Sequence, residues 1–389
     1  MNTPSRPNRP HVLFLMDDEH RADAAGYAGD PVARTPVLDE LARTGVVFTN
    51  AYTAAPICIP ARQSLAAGQF PHTTGCERYG EDLPPGHMTF ARRFAQYGYQ
   101  TVACGKLHHA GVDQMQGWLR RYGADIAMDP GLVPGRVEPM PVPMDLKWPQ
   151  DKEVRRAGPG RASHEIDDEY AVQGALDYLD RHFVDSGYDR ALPDTPLLLK
   201  VSLNQPHYPY IPARADRFDY YLNRVAPYTG QSLFDHPFLG GACRVRAGEE
   251  VSERDLRRAT AAYYAMVETT DERFGRVLDA IRHAARTPTA GSSSTPATTA
   301  RCSVSTVSSR SRGSSRAVCG CRSSCAGPAG SRPARWTETS ASAIYLRRCA
   351  SWPASTCRSA STAAVSYRSC PVTTRAGTTR RSQSSRPGT

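Results

Sequence analysis

Acidic and basic side chains lie where the apolar runs of this sequence end. Asp17 and Asp18 follow VLFLM, Lys106 and His108 follow TVACG, and His207 follows PLLLKVSLNQP. Two adjacent acids at the end of a buried strand are more often ligands than a solvated turn, and carboxylate oxygens suit Ca²⁺ or Mg²⁺. His207 by itself fits an ordinary loop histidine equally well. The pattern predicts a ligand site at the carboxyl ends of neighbouring strands.

The segments around these residues alternate between strand and helix patterns. VLFLM is a short, continuously apolar run, typical of a buried parallel strand, and we expect it in the centre of the sheet. TPVLDELARTG indicates a helix with Thr35 as its N-cap and Gly45 as its stop. VVFTNAYT and PLLLKVSLNQ indicate further strands, ARQSLAAGQ a helix just after Cys58, and TFARRFAQYGYQTVACGK a helix followed by a strand. The alternation predicts an α/β fold with a mostly parallel sheet flanked by helices.

Two longer segments complete the first 290 residues. Residues 127–165 are rich in Pro and Gly, which indicates a loop or an insertion. The segment SERDLRRATAAYYAMVETTDERFGRVLDAIRHAA indicates a long amphipathic helix. Ser252 and Asp255 have the spacing of a capping box, so we expect this helix to begin there.

Cys58, Pro60 and Arg62 lie in the pentapeptide CIPAR, which resembles the C-x-P-x-R signature of the sulfatase family. The segments DDEH, TPVLDELARTGVVFTNAY, GKLHH and NQPHYPY resemble further segments of that family in the same order. The resemblance covers residues 10–285 and implies an alkaline-phosphatase-like core. It also implies that a separate maturation enzyme oxidises Cys58 to formylglycine, whose hydrate is the nucleophile.

The resemblance assigns roles to the basic residues near the motif. A sulfate ester is an anion, so attack at sulfur requires neutralisation of several oxygens while one hydroxyl becomes nucleophilic. By resemblance, Arg62 and Lys106 steady the hydrate and the sulfate oxygens. His108 accepts a proton from the hydrate when sulfate is expelled, and His207 with Lys106 faces the leaving oxygen. The implied catalytic set is therefore Cys58, Arg62, Lys106, His108 and His207.

The same resemblance implies a divalent cation as cofactor. A cation held by carboxylates acts as a Lewis acid and orients the reacting groups. The implied ligands are Asp17, Asp18 and the modified side chain of Cys58, and the cation is Ca²⁺, with Mg²⁺ or Mn²⁺ as alternatives.

Other candidates have plainer interpretations. In isolation, Cys58 fits an ordinary buried thiol better than a modified one, and the flanking residues of the motif reverse that preference. The remaining histidines considered, which we interpret as structural, are His20, His72 and His109. The remaining cysteines before residue 290, which we interpret as core or surface thiols, are Cys76, Cys104 and Cys243.

Residues 291–389 differ from the rest of the chain in composition. They contain fifteen Arg, no Lys or Asp, and Glu338 as their single acidic residue, which gives this tail a net charge of +14. Because the whole chain carries +10, residues 1–290 carry −4. The net positive charge of the chain therefore comes from the tail and gives no information about partners of the first 290 residues. The tail has too few apolar residues in any period to predict a packed fold.

The tail can be interpreted by shifting the reading frame of the codons that encode it. The sulfatase pattern continues after the long helix with a strand that ends in Asp-His-Gly or Asp-Asn-Gly and supplies further metal ligands, and this sequence contains neither tripeptide. Permitted codons for residues 292–307, moved back by one nucleotide, translate to VVVYTSDHGEMLGEHG. The same change of frame can convert residues 317–329 to RGVRVPLVVRGPG and residues 344–357 to DLSPTLRELAGVDL. Both translations resemble C-terminal segments of the family. We therefore interpret residues 291–389 as an out-of-frame, disordered tail and residues 1–290 as an incomplete catalytic domain.

Three functions remain open at this stage. The first is hydrolysis of sulfate monoesters in the manner of an arylsulfatase, with little or no activity in the present form. The second is hydrolysis of phosphonate monoesters or phosphodiesters, because selectivity lies partly in residues that the shift removes. The third is a non-catalytic remnant with an Arg/Ser-rich tail that binds nucleic acid, although scattered Trp, Cys and Pro without repeats argue against it.

The sequence also carries expectations about partners and location. We expect a small sulfate ester and a formylglycine-generating enzyme as partners, and neither nucleic acid nor a membrane. The N-terminal segment MNTPSRPNRP is polar, and the run VLFLM is too short for a secretory core or a membrane span. A cytoplasmic location with reduced thiols is therefore expected.

Overall fold

A computed structural model describes residues 9–123, 125, 150–183, 195–227, 251–284 and 315–319 of the 389-residue chain. The predictions for Cys243, for most of the loop at 127–165 and for the tail outside 315–319 lie outside these residues. The described strands are β1 (Val12–Met16), β2 (Val46–Ala51), β3 (Gln100–Gly105), β4 (Arg120–Tyr122), β5 (Leu197–Ser202) and β6 (Ser315–Cys319). The described helices are α1 (Pro36–Thr44), α2 (Cys58–Ala67), α3 (Pro71–Thr74), α4 (Phe90–Gln96), α5 (Gln150–Arg155), α6 (Ser163–Phe183), α7 (Ala215–Leu222) and α8 (Glu253–Ala284).

Four strands form a parallel sheet in the order β1-β5-β3-β4. This confirms the prediction of an α/β fold with a mostly parallel sheet. In the register of β1 and β5, Val12 lies opposite Leu198 and Met16 opposite Ser202. The expectation that β1 is central does not hold among the described strands, where it pairs only with β5 and ends the sheet.

Helices cover both faces of the sheet, because successive strand residues point to opposite sides. Leu13 and Leu199 pack with apolar residues of α1, α6 and α8 on one face. Leu198 packs with Trp118 and with Ala91 of α4 on the other. Burial on both sides explains the apolar runs VLFLM in β1 and LLL at the start of β5.

Of the two helix caps predicted from sequence, the capping box of α8 is confirmed, whereas α1 is capped by a different side chain from the one predicted. The capping box of α8 is present, since the Asp255 N–H donates to Ser252 Oγ at 3.1 Å and the Ser252 N–H donates to Asp255 Oδ2 at 3.2 Å. Thr35 occupies the N-cap position of α1, but its side chain makes no cap bond. The carboxylate of Asp271 in α8 instead accepts hydrogen bonds from the N–H groups of Val37 and Leu38 at 3.0 and 2.8 Å.

The predicted loop at 127–165 is wrong in its last part. Residues 150–155 form α5, and α6 begins at Ser163. Val154 of α5 is buried against α7 and α8, which stabilises a helix that composition alone does not suggest. Along α6, Ala171, Ala175 and Leu179 are buried at intervals of four residues and form the helical face that the compositional argument overlooked.

The tail contributes one described element. Strand β6 pairs antiparallel with β2, with Val46 opposite Cys319. Such pairing uses backbone N–H and C=O groups, so a segment without a hydrophobic period can supply it. No described helix, not even the 32-residue α8, is both long and apolar enough to cross a membrane.

Candidate functional site

Two adjacent carboxylates follow β1, and both are fully buried. Asp17 and Asp18 come directly after Met16, the last residue of the strand. Asp18 Oδ2 accepts a hydrogen bond from Arg62 Nη2 at 2.9 Å and lies 2.9 Å from Lys106 Nζ. One carboxylate thus faces two buried cations, which offset the cost of removing its charge from water. The structure brings together three residues that the sequence assigned to one site.

Arg62 connects the ends of two further strands to this carboxylate. Its Nη1 donates to the backbone carbonyl of Lys106 at 2.7 Å and to Ser202 Oγ at 2.8 Å. Lys106 follows β3, and Ser202 ends β5. Arg62 lies in α2 four residues after Cys58, so the two side chains share one face of that helix. The helix that begins with Cys58 is therefore fixed to the carboxyl edge of the sheet.

Cys58 differs from Cys76 and Cys104 in its exposure. It is the first residue of α2, is partly exposed and forms no disulfide. Cys76 and Cys104 are buried, and burial raises the pKa of both thiols. Buried thiols are inert, so of these three cysteines the one with an accessible side chain is the one in the CIPAR motif.

The turn after β3 depends on Gly105. Its backbone has a φ of 82°, and a Cβ at this position lies 2.2 Å from the carbonyl oxygen of Ser202. Only glycine fits so close to another backbone in this conformation. The N–H of Lys106 donates to the same carbonyl at 2.9 Å. The close approach of β3 and β5 therefore sets the position from which the Lys106 side chain leaves the sheet.

Asp125 holds the backbone of the next two residues. Its carboxylate accepts hydrogen bonds from the N–H groups of Leu107 at 3.0 Å and His108 at 2.9 Å, and it pairs with Arg121 at 2.6 Å. Burial, followed by the charge of Lys106, lowers the pKa of His108 well below its ordinary value. The ring is neutral near pH 7 and can accept a proton, as a general base must.

Gln63 joins α2 to the segment after β3 that contains His108, and it was not identified from sequence. Its Nε2 donates to the backbone carbonyl of His108 at 3.0 Å, and its Oε1 accepts from Gln116 Nε2 at 3.1 Å. Gln116 also donates to Asp82 Oδ1 at 2.7 Å. Gln63 directly follows Arg62, the last residue of the CIPAR motif, and this position is the one sequence signal that distinguishes it.

A buried carboxylate holds the loop that carries His207. Asp168 of α6 accepts hydrogen bonds from the N–H groups of Asn204 at 2.6 Å and Gln205 at 2.9 Å. The loop also contains two cis peptide bonds, Gln205-Pro206 and Tyr208-Pro209. Asp168 lies 36 residues from Asn204 in sequence, and sequence reasoning did not find it.

His207 faces the acidic side of the site. Its Nε2 lies 3.6 Å from Glu19 Oε1, and its Nδ1 lies 2.6 Å from the carbonyl oxygen of Tyr208. Burial, followed by the charge of Lys106, lowers the pKa of His207 well below its ordinary value. His207 is therefore neutral near pH 7 and lies within electrostatic reach of Lys106.

His20, interpreted above as structural, contacts a site carboxylate directly. Its Nδ1 lies 2.6 Å from Asp17 Oδ2, and its Nε2 lies 3.0 Å from the carbonyl oxygen of Ala24. Burial lowers the pKa of His20, but the Asp17 carboxylate outweighs it and the net shift is upward. His72 is exposed, and His109 is buried.

The described residues fit one side of a cation site. Asp17 Oδ1 is buried and accepts no hydrogen bond from the residues that the structure describes. A buried carboxylate oxygen without a donor is costly unless a cation compensates it. Asp18, Glu19 and His207 each place a potential ligand atom within 4.8 Å of the others. Carboxylate oxygens favour Ca²⁺, Mg²⁺ or Mn²⁺, and neither Asp17 nor Cys58 belongs to that group of three.

Comparisons with known proteins identify the family of the chain. A family-level sequence model described as Sulfatase matches residues 10–290. The chain is 30% identical to an ulvan-active sulfatase of Formosa agariphila over 280 residues, which cover 70% of this chain and 47% of the relative. It is 28% identical to a choline-sulfatase of Rhizobium meliloti over 284 residues, 70% of this chain and 54% of the relative.

A solved structure supports the fold. A Bacteroides fragilis protein described as a sulfatase superposes with a TM-score of 0.50 and 19% identity, over 79% of this chain and 63% of its own. The chain spans about half the length of the two relatives above. The family match nevertheless covers well over half of the chain, including every site residue described. The chain belongs to the sulfatase family.

Proposed function

We propose that this protein descends from a hydrolase of sulfate monoesters, of the arylsulfatase type, and retains the anion-binding half of its active site. The observation that carries the proposal is the convergence of Arg62 and Lys106 on Asp18, with Cys58 at the start of the helix that contains Arg62. Two cations held at the carboxyl edge of a parallel sheet are suited to the oxygens of a sulfate group. Cys58 is the group that the adjoining motif marks for modification.

The roles of the side chains follow from their positions. Once Cys58 is converted to formylglycine, one hydroxyl of its aldehyde hydrate would attack sulfur while the ester S–O bond breaks and the alcohol leaves. The second hydroxyl would then lose its proton and expel sulfate, which restores the aldehyde. Arg62 and Lys106 neutralise the sulfate oxygens, since both are buried, Arg62 is held by hydrogen bonds and Lys106 by its ion pair with Asp18. His108, neutral near pH 7, accepts a proton on the side of the hydrate, and His207 faces the leaving oxygen.

A divalent cation completes this proposal. Asp17, whose Oδ1 accepts no hydrogen bond from the described residues, and Asp18 would hold the cation, which would supply Lewis-acid chemistry toward the sulfate group. Ca²⁺ is our first choice, and Mg²⁺ or Mn²⁺ fits the same donors. His20 keeps Asp17 Oδ2 engaged, so Oδ1 is the oxygen left to bind the cation.

We further propose that residues 291–389 are an out-of-frame translation and that the other half of the cation site is lost with the original frame. Two features of the structure support this. β1 ends the described sheet although it is buried and apolar, so a neighbouring strand fits beside it. Asp17 Oδ1 is buried and accepts no hydrogen bond from the described residues, which suits a cation site that an Asp-His pair in the alternative frame, VVVYTSDHG, would complete. The present chain should therefore turn over sulfate esters slowly or not at all.

Partners and location follow from the same proposal. The substrate is a small sulfate ester, and a formylglycine-generating enzyme acts on CIPAR in the cytoplasm. Nucleic acid and membranes are not partners, because the basic tail has no role of its own in this account.

A frame-restored variant, in which residues from 291 onward are translated in the alternative frame, tests the reaction. We expect it to hydrolyse 4-nitrophenyl sulfate when it is coexpressed with the maturation enzyme, and to lose this activity in the Cys58→Ala form. An aryl phosphonate monoester is assayed beside it at the same concentration. Faster turnover of the phosphonate would replace the sulfatase proposal with a phosphonate hydrolase, and no turnover of either ester would overturn both.

A further inference from the structure

His164, the second residue of α6, lies beside the proposed active site and has no role in the account above. Its ring packs edge-on against the ring of His207, with 5.4 Å between the ring centroids. Lys106 and Asp18 are the charged groups that act on it most strongly, and these same two act on His207. His164 therefore lies next to His207 and within electrostatic reach of Lys106 and Asp18.

The Nδ1 atom of His164 is buried, and no residue in the described part of the chain forms a hydrogen bond with it. Burying a ring nitrogen without a partner is unfavourable, so such atoms usually have a ligand or water partner. Burial, followed by the charge of Lys106, lowers the pKa of His164 to about 4. A neutral imidazole at this position offers one hydrogen-bonding nitrogen to a ligand.

The position of His164 is fixed to that of His207. Glu165, the next residue along α6, accepts a hydrogen bond from Gln205 Nε2 at 2.8 Å and pairs with Arg273 of α8 at 2.5 Å. Arg273 also donates to Gln205 Oε1 at 2.9 Å. The start of α6 and the His207 loop are thus cross-linked through buried groups, and the two imidazoles keep one relative position.

We propose that His164 is a specificity-determining residue that binds, through Nδ1, a hydroxyl group adjacent to the sulfated oxygen of the substrate. The inference rests on the proposed function, which places the leaving oxygen at His207. Two neighbouring imidazoles fit two neighbouring oxygens, one being the ester oxygen and the other a vicinal hydroxyl. The substrate class is therefore a sulfate ester of a vicinal diol or catechol rather than of a simple phenol.

The unmodified chain allows a direct test, because ground-state binding is measured without turnover. Calorimetry compares three probes: inorganic sulfate, 4-nitrophenyl sulfate, and 4-nitrocatechol sulfate, which adds the vicinal hydroxyl. We expect His164→Ala to weaken binding of 4-nitrocatechol sulfate about fivefold, the worth of one hydrogen bond. Binding of the other two probes should not change. His164→Asn, whose amide occupies the place of Nδ1, should restore most of the affinity.

His72→Ala, at an exposed histidine, serves as the matched control, and circular dichroism verifies that each variant is folded. Equal weakening of all three probes by His164→Ala would show a structural role and overturn the inference. Equal weakening of the two esters with sulfate unaffected would also overturn it, since the hydroxyl would then be irrelevant. If the unchanged chain binds none of the probes, the proposed function fails, and the inference fails with it.

Discussion

Arg62 and Asp18 form an ion pair 2.9 Å long in which neither side chain is exposed to solvent. Removing one partner of such a pair leaves an uncompensated charge in the interior. Lys106 is the remaining cation on the same Asp18 oxygen. The pair is therefore both a structural connection between α2 and the sheet and the centre of the proposed anion site.

Replacement of Arg62 by Ala tests the structural role of this pair. We expect the variant to lose about 3–5 kcal/mol of unfolding free energy, because the buried Asp18 carboxylate loses a paired cation and the hydrogen bonds to the Lys106 carbonyl and Ser202 are lost. Urea unfolding followed by circular dichroism measures the difference. Arg43→Ala, which removes an exposed pair with Glu40, is the control and should cost less than about 0.5 kcal/mol. Similar losses in the two variants would contradict this reading of the pair.

Gly105 and Gly68 provide a matched pair of glycines with left-handed backbone. Gly105→Ala should destabilise the protein by about 3 kcal/mol, because the new methyl group meets the Ser202 carbonyl in addition to the backbone strain. Gly68, with a φ of 66°, has no atom within 4 Å of a new Cβ, so Gly68→Ala should cost only about 1 kcal/mol. Thermal unfolding of both variants checks the order. A Gly105→Ala variant as stable as Gly68→Ala would show that β3 and β5 can separate at this point.

The sequence predicted the strands that carry the site better than the contacts that hold the site together. VLFLM, TVACG and PLLLKVS have local patterns. Asp18 and Lys106 meet because β1 and β3 end at one edge of the sheet, and the first turns of α2 bring Arg62 to the same edge. The supporting groups have no such pattern. Asp271 caps α1 from 234 residues away, and no local signal in either segment indicates the contact.

The start of α6, which carries His164, was missed for a related reason. The Pro- and Gly-rich composition of residues 127–165 led to a loop prediction that extended into α6, and with it His164 was overlooked. The part of α6 from Ala171 onward packs against the sheet and α8, and this tertiary contact stabilises a helix that composition does not indicate. His20 was interpreted as structural because nothing in the sequence shows that it reaches Asp17.

The pH dependence of stability should include a contribution from His182, which is buried in the core. Burial lowers its pKa from 6.5 to about 4, and its Nε2 bonds the Thr195 carbonyl at 3.1 Å. A depressed histidine pKa means that the unfolded chain binds more protons between these values, so stability falls as pH drops from about 6.5 to about 4. The contribution is about 3 kcal/mol.

Replacement of His182 by Gln isolates this contribution, since Gln keeps a donor for the Thr195 carbonyl but does not titrate. Unfolding free energies at about pH 7.5 and about pH 4.5 are compared for both proteins. The loss on acidification should be smaller in the variant by about 2–3 kcal/mol. His72→Gln, at an exposed site, should match the unchanged protein. An identical loss in His182→Gln and the unchanged protein would show that His182 is not buried in its neutral form.

Modification of Cys58 should survive in the present chain. The CIPAR motif is intact and lies far in sequence from residue 291, and Cys58 is partly exposed. Coexpression with a formylglycine-generating enzyme, followed by mass spectrometry of the Cys58 peptide, should detect the aldehyde. The Cys76 peptide of the same digest is the internal control and should keep its thiol. An unmodified Cys58 under conditions that convert a known substrate would show that the motif is not recognised.

The most direct test of the central claim compares turnover of 4-nitrocatechol sulfate by the present chain and by the frame-restored variant, both with converted Cys58 and added Ca²⁺. The claim is that Asp17 and Asp18 form only one side of the cation site and that the alternative frame encodes the other. We expect Ca²⁺-dependent turnover by the restored variant and none above background by the present chain. Substantial Ca²⁺-dependent turnover by the present chain would contradict the account.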